Sequence, residues 1–323
     1  MSSAGSRTRS RPNRVAAGSW LDGVSRAPIV WPEHEGESVD DVLARCGRFG
    51  GPSTYGWHTR ELGWRCPRAA SFVEAGHAGP GVGKAAWIGS VVHEYLAGYY
   101  QARSTIPGRM SQIDQKDLVE TMHQALMDAG HLEVAAEARR LYDGYLVRFG
   151  LSDPYLLFGD VVGVEEEVRR DLPWGEPYTA RLDMRVVGRA GTLVVDHKIT
   201  GQKNGRFIYG WRVSPQILGI QWIGLESWLR PIVVSINGII RTKQIEFNRR
   251  DVTHGLSAVK DWLRMLYYKS KEREMAVAAG SPPDFAQCFA SWRMCPFIEH
   301  CTFGILPRES AAKNIDEEAD EEV

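Results

Sequence analysis

Residues 193–200 read LVVDHKIT, an apolar run that ends in a carboxylate and an ammonium two positions apart. In a strand, alternate side chains share a face. Asp196 and Lys198 therefore point the same way as Val194, while Leu193 and Val195 face the other side, toward a core. The preceding segment YTARLDMRVVG (178–188) divides in the same manner. Leu182, Met184 and Val186 share one face, and Arg181, Asp183 and Arg185 share the other. The GRAG sequence at 188–191 predicts a hairpin turn between the two strands. Antiparallel pairing through it sets Asp183 beside Asp196 on one polar face. An exposed Asp–Lys pair contributes little by itself. Two carboxylates a few ångströms apart are another matter, because they repel unless a cation or a proton lies between them.

Hard divalent cations such as Mg2+ or Mn2+ take oxygen ligands of this kind. A lysine beside the cation can steady an attacking water or a phosphate, and can lose its proton if it is desolvated. Cation, water and neighbouring lysine are the parts needed for metal-assisted phosphodiester hydrolysis.

Outward from the hairpin, the periodicity is helical upstream and mixed downstream. KAAWIGSVVHEYLAGYYQA (84–102) predicts a helix with a stripe of Trp87, Val91, Tyr95 and Tyr99, or of Ile88, Val92, Tyr95 and Tyr99. Two further helices are expected near 112–128 and 131–149, with Gly130 and Gly150 as stops. FGDVVGVEEEVRRDL has strand character. VSPQILGIQWIGLESWL is helical, with Pro215 in its first turn. RPIVVSINGIIRT and KQIEFNR suggest another strand pair, and a long helix over about 251–278 follows. The expected class is α/β, a mixed central sheet flanked by helices.

Bulk properties are those of a globular protein: 323 residues, 43% hydrophobic, 24% charged, net charge −1. No stretch reaches the roughly 18 apolar residues that a membrane helix needs. The opening segment has no apolar signal core, so a reducing cytoplasm is expected. The small net charge averages unlike ends. Arg7, Arg9, Arg11 and Arg14 lie in a start with no acidic residue, whereas NIDEEADEEV closes the chain. Residues 1–50 are expected to be a largely disordered basic arm, 51–306 the folded domain and 307–323 a disordered acidic tail.

The sequence RLDMRV followed by VVDHKIT resembles the PD-(D/E)XK nuclease superfamily, in particular its RecB-like exonuclease branch. IGSVVHEYL resembles that branch's upstream helix motif, with Gly89 and His93 in the glycine and histidine roles. SPQILGI resembles its downstream glutamine motif, with Gln216 as the glutamine, although Ile220 stands where a tyrosine is common. Glu165 matches a glutamate frequent on the strand before the first aspartate. The resemblance implies a restriction-endonuclease-like core. It implies that Asp183, Asp196 and the backbone carbonyl of His197 hold Mg2+ or Mn2+ with His93, and that Lys198 orients or activates the water. Gln216 would support the lysine or contact the DNA backbone. The implied partner is DNA, as single strands or duplex ends, with a helicase or recombination partner. Arg181, Arg185, Lys203, Arg206 and Lys243 are candidate phosphate contacts. A structure-specific endonuclease, or an accessory DNA-binding protein without catalysis, are the alternative functions.

The chain has five cysteines. CFASWRMCPFIEHC puts six residues between Cys288 and Cys295 and five between Cys295 and Cys301, while GWRCPRAASF supplies Cys66. One early cysteine and a late trio are similar to the 4Fe–4S staple of the AddB-type and CRISPR-associated members of that branch, which ties the chain ends together. The family trio usually has two residues in its first gap. Zn2+ bound by four thiolates, or buried free thiols with no metal, are the other readings. Trp292 and Phe297 fall between the late cysteines, where they would stack on bases or pack against the cluster. Cys46 is left as a free thiol.

Overall fold

Three strands follow one another without a helix between them: β1 (Asp160–Asp171), β2 (Pro177–Gly188) and β3 (Gly191–Thr200). Each junction is a tight turn with a glycine in the left-handed region. Gly175 has φ 92 between β1 and β2, and Gly191 has φ 147 where Gly188 and Gly191 close the GRAG hairpin. In this computed structural model residues 55–75, 84–105, 112–150, 152–201, 210–227, 232–288, 295, 297–298 and 301 are described. The basic arm, Cys46, Lys203, Arg206, Trp292 and the acidic tail lie outside them.

Beyond β3 the chain crosses over through α7 (Pro215–Ser227) to β4 (Ile232–Ile240), which lies parallel to β3. β5 (Glu246–Val252) then pairs antiparallel with β4. The sheet order is β1-β2-β3-β4-β5, a mixed sheet as expected. Ahead of it come α1 (Trp57–Arg65), α2 (Pro67–Glu74), α3 (Lys84–Gln101), α4 (Gln112–Asp128), α5 (Leu132–Phe149) and the short α6 (Pro154–Phe158). After it comes α8 (Leu256–Ala278).

The two helical layers can be assigned from consecutive residues of β3. The His197 ring meets Tyr100 of α3 and Tyr145 of α5, while Asp196 meets Gln216 of α7. Neighbouring strand residues face opposite ways, so α3 and α5 cover one face and α7 covers the other. β3 is therefore buried on both faces from Gly191 to His197, rather than on one. On the α7 side, Tyr178, Val194, Ile217, Ile220, Val234, Trp222 and Trp262 form a continuous core. Ile220, where the tyrosine was expected, is part of that core. The opposite layer is built on α3. Val91, Val92, Tyr95, Leu96, Tyr99 and Tyr100 are all buried. Instead of one apolar stripe, this helix is enclosed nearly all round by the sheet, α4 and α5.

Two boundaries differ from the sequence reading. β5 runs on to Val252 because Asp251 and Val252 still pair with Ser235 and Val234 of β4, so α8 begins only at Leu256. Gly130 is left-handed (φ 81) and ends α4 as expected, but Gly150 stays right-handed, its N–H closing the last bond of α5 to the Leu146 carbonyl. Among the described residues no helix is long and apolar enough to cross a membrane.

Gly219 of α7 lies against Tyr178. A Cβ there would overlap the Tyr178 hydroxyl and come within 2.6 Å of its ring carbon. Tyr178 is wedged between Trp222 and Trp262 and has little freedom to move. Gly219→Ala should therefore destabilise the protein by about 1–3 kcal/mol in urea denaturation, against the helix-propensity gain of about 1 kcal/mol that an open site would show.

Candidate functional site

The β2–β3 ladder stops at Met184↔Val195. From that point β2 stays paired with β1 down to Pro177, and β3 stays paired with β4 up to Thr200. The two strands fork, and a cavity of about 470 Å3 opens between them. Asp183 and Asp196 stand at the first unpaired position of the fork. There the His197 N–H, which has lost its strand partner, donates to Asp183 Oδ2 at 2.6 Å. A carboxylate takes the place of a ladder carbonyl.

Helix α3 brings His93 to this point, with Nδ1 3.4 Å from Asp183 Oδ2 and the ring turned to the His197 carbonyl. From β1 comes Glu165, held at φ 48. A left-handed glutamate within a strand is strained, and here the strain turns its carboxylate in beside Asp183. Ligating atoms of His93, Glu165 and Asp183 all lie within 4.8 Å of one another. Burial drives the electrostatics. It pushes the Asp183 carboxyl up to about 6, against the pull of Lys198 and the His197 N–H. It raises Glu165 well above the usual range, with Asp183 and Glu94 adding repulsion. It lowers His93 to about 4, with Lys198 acting in the same direction. Two carboxylates that resist ionising beside an imidazole that resists protonating form a donor set short of positive charge.

Asp196 faces the other wall. Lys198 Nζ lies 2.9 Å from Oδ1 and 2.8 Å from Oδ2, and Gln216 Nε2 donates to Oδ1 at 3.2 Å. Gln216 thus holds the aspartate, not the lysine. Burial raises the Asp196 carboxyl despite Lys198. For Lys198 burial works downward, but Asp196, Asp183 and Glu165 together outweigh it and raise the ammonium. These carboxylates thus work against the loss of a proton from Lys198, and the Trp211 ring lies 4.8 Å from Nζ.

The sequence-derived residues Asp183, Asp196, His197, Lys198, Gln216 and His93 all line this one cleft. The tight trio differs from the implied set, because Glu165 rather than Asp196 completes it. Of the candidate phosphate contacts, Arg181 lines the cleft. Arg185 instead makes a two-pronged pair with Glu166 at 2.7 and 2.9 Å. Lys243 lies in a separate groove with Arg140 and Arg148. Trp57 and His58 of α1, which sequence reasoning passed over, complete the wall near Gln216. Arg60, donating to Glu176 at 2.8 Å and to the Pro177 carbonyl at 2.6 Å, fastens that helix to the start of β2.

The early and the three late cysteines come near one another. Cys66 ends α1 and starts α2. The Cys295 N–H bonds to the Cys288 carbonyl, and the Cys301 N–H to that of Phe297. Burial pushes the Cys288 thiol up, and Cys295, Cys66 and Cys301 all add to the effect. Phe297 is buried among Cys66, Ala69 and Phe72, so it packs and is not placed to stack on a base.

The raised Asp183 carboxyl has a testable sign. With the folded-state value near 6 and an ordinary unfolded value, its contribution is fully present at low pH and is lost as pH rises through 6. The lowered His93 works in the opposite direction over much of that range, so the difference between variants is the clean measure. In EDTA, Asp183→Asn should match wild type near pH 4 and exceed it by about 1–3 kcal/mol at pH 7. Excess divalent cation should close that gap. Denaturant titrations across pH decide it, and an Asn variant no more stable than wild type at pH 7 would sink the account.

No protein-family model matches the chain, and no curated protein matches it. Among solved structures, a candidate exonuclease from Eubacterium rectale is similar over 81% of this chain and 92% of its own, at 14% identity and a TM-score of 0.45. The protein SSO0001 is similar over 55% of this chain and 79% of its own, at 15% identity and a TM-score of 0.30.

Proposed function

We propose that the chain is a metal-dependent deoxyribonuclease of the PD-(D/E)XK type, in its RecB-like branch, acting as an exonuclease on DNA ends. The observation that carries the reading is the forked sheet, where His93, Glu165 and Asp183 meet within 4.8 Å beside the Asp196–Lys198 pair. The donor set fits a hard divalent cation: oxygen ligands and one neutral imidazole, all short of positive charge. His93, Glu165 and Asp183 would hold Mg2+ or Mn2+, with Asp196 and the His197 carbonyl alongside. Such a cation polarises a phosphoryl oxygen and acidifies water.

The chain's own groups do the rest. Lys198, locked as a cation, orients the water and the phosphate rather than taking a proton. Gln216 fixes Asp196, and Arg181 offers a second positive contact on the same wall. In the reaction a bond forms between the water oxygen and phosphorus as that water gives up a proton to solvent, the bond to the leaving sugar oxygen breaks, and that oxygen takes up a proton from solvent.

Cys66, Cys288, Cys295 and Cys301 are proposed to hold a 4Fe–4S cluster. Among the described residues the trio at the fork is the one group of three or more ligating atoms within 4.8 Å. A role in phage or bacterial DNA recombination or repair, beside a helicase and in the cytoplasm, completes the proposal.

End-labelled linear DNA, single- and double-stranded, should be degraded with Mn2+ or Mg2+ and not with EDTA. Lys198→Ala should lower the rate by 100-fold or more, an effect of the size expected from losing a preorganised charge. Loss of label from the ends supports an exonuclease. Cutting of closed circular DNA would instead make it an endonuclease, and no cleavage with any metal would leave binding as its role. Protein purified without oxygen should show broad absorbance near 400 nm and about four irons, both lost in Cys288→Ser. Zinc in place of iron would overturn the cluster.

A further inference from the structure

Behind the fork lies a row of polar residues that the proposed chemistry does not use. His197, Asn237 and Arg249 are in register on three adjacent strands, His197↔Asn237 between β3 and β4 and Asn237↔Arg249 between β4 and β5. All three face the α3–α5 layer. His197 is 2% exposed and Asn237 is 0% exposed. Asn237 Nδ2 lies 2.7 Å from His197 Nδ1, and Arg249 Nε donates to Asn237 Oδ1 at 3.2 Å. Arg249 goes on to Asp153 Oδ1 at 3.0 Å and the Tyr145 hydroxyl at 2.8 Å. Tyr100 and Tyr145 close the cage by bonding to Asp153 Oδ2.

The row determines a tautomer. Arginine only donates, so the Asn237 oxygen must face Arg249 and its NH2 must face His197. His197 Nδ1 is then an acceptor and bears no proton, which leaves the hydrogen on Nε2. The ring is also stacked on Tyr100, 5.7 Å between centroids and 18° between planes. The two contacts hold its orientation. The Arg249–Asp153 ion pair, with side chains 17% and 0% exposed, is poor evidence for stability, since desolvation offsets most of its attraction. Its place in the row suggests another use. The main chain of His197 donates to Asp183 and turns its carbonyl to His93, and the flanking peptides aim Asp196 and Lys198.

We propose that Asn237 and Arg249, anchored by Asp153, are positioning residues for the metal site, acting through the locked ring of His197 on its backbone. This rests on the metal-dependent reading above. Outer residues that orient ligands commonly contribute 10- to 100-fold in metal affinity.

The test is calorimetric titration of the full chain with Mn2+, alongside cleavage rates at saturating Mn2+. Asn237→Leu keeps the volume and loses the donor, and should raise the Mn2+ Kd by about 10-fold while the saturated rate changes less. Arg249→Lys keeps a cation near Asp153 but not the fork that spans three partners. It should weaken Mn2+ in the same direction, and serves if Asn237→Leu does not fold. Val234→Ala, a buried position on the same strand that faces the α7 core instead, lowers stability without touching the row and should leave the Kd within twofold. Equal weakening in Val234→Ala, or an unchanged Kd in both row variants, would overturn the proposal. Wild-type protein that binds no Mn2+ would overturn the metal-dependent reading itself, and the proposal with it.

Discussion

One hydrogen bond, from the His197 N–H to the Asp183 carboxylate, marks where the sheet ceases to be a scaffold and becomes a site. Pairing between β2 and β3 ends there, and an unpaired backbone N–H in a buried place must find an acceptor. A side-chain carboxylate supplies it. The fork can therefore open without an orphaned donor, and the acceptor is already one of the groups that crowd the cleft. Everything near it follows from this substitution. β2 remains held by β1 and β3 by β4, so the opening is rigid on both sides, and α3 and α7 reach its rim from opposite faces of the sheet.

The crowding has a cost that the surroundings only partly offset. Asp183, Asp196 and Glu165 all resist ionisation through burial, and Lys198 answers mainly Asp196. The strained backbone of Glu165 adds to the sum. Local strain and unneutralised buried charge are what a fold optimised for stability alone would shed, and they are confined here to one cleft.

The hairpin was legible because its information is local. Strand alternation placed Asp183 beside Asp196, and the glycines of GRAG fixed the turn that joins them. The covered faces were less legible. α3 seemed one-sided in its pattern, since tyrosines that bury all round count as half-polar when they are read along the chain. Glu165 sat in a run of three glutamates, and only its left-handed backbone singles it out. The link from His197 through Asn237 and Arg249 to Asp153 joins residues up to 96 positions apart. No spacing rule connects them, because a register between strands brought in by a crossover decides who meets whom. The cysteines show the reverse case. Their types suggested that they act together, and in the fold Cys66 lies near the late trio.

The hairpin turn also bears on the order in which the site comes into being. Asp183 and Asp196 are joined by a short stretch of chain, so bringing them together costs little loop entropy. His93, Gln216 and Asn237 arrive on elements far away in sequence, and contacts of that range form slowly. The repelling pair is therefore set up while water still surrounds it, when a high dielectric keeps the repulsion small. Desolvation falls on the later step, when α3 and α7 dock against the sheet. The electrostatic penalty of the site thus belongs to helix docking and not to strand pairing, and a divalent cation present at that stage would act on the rate of docking as well as on the final balance.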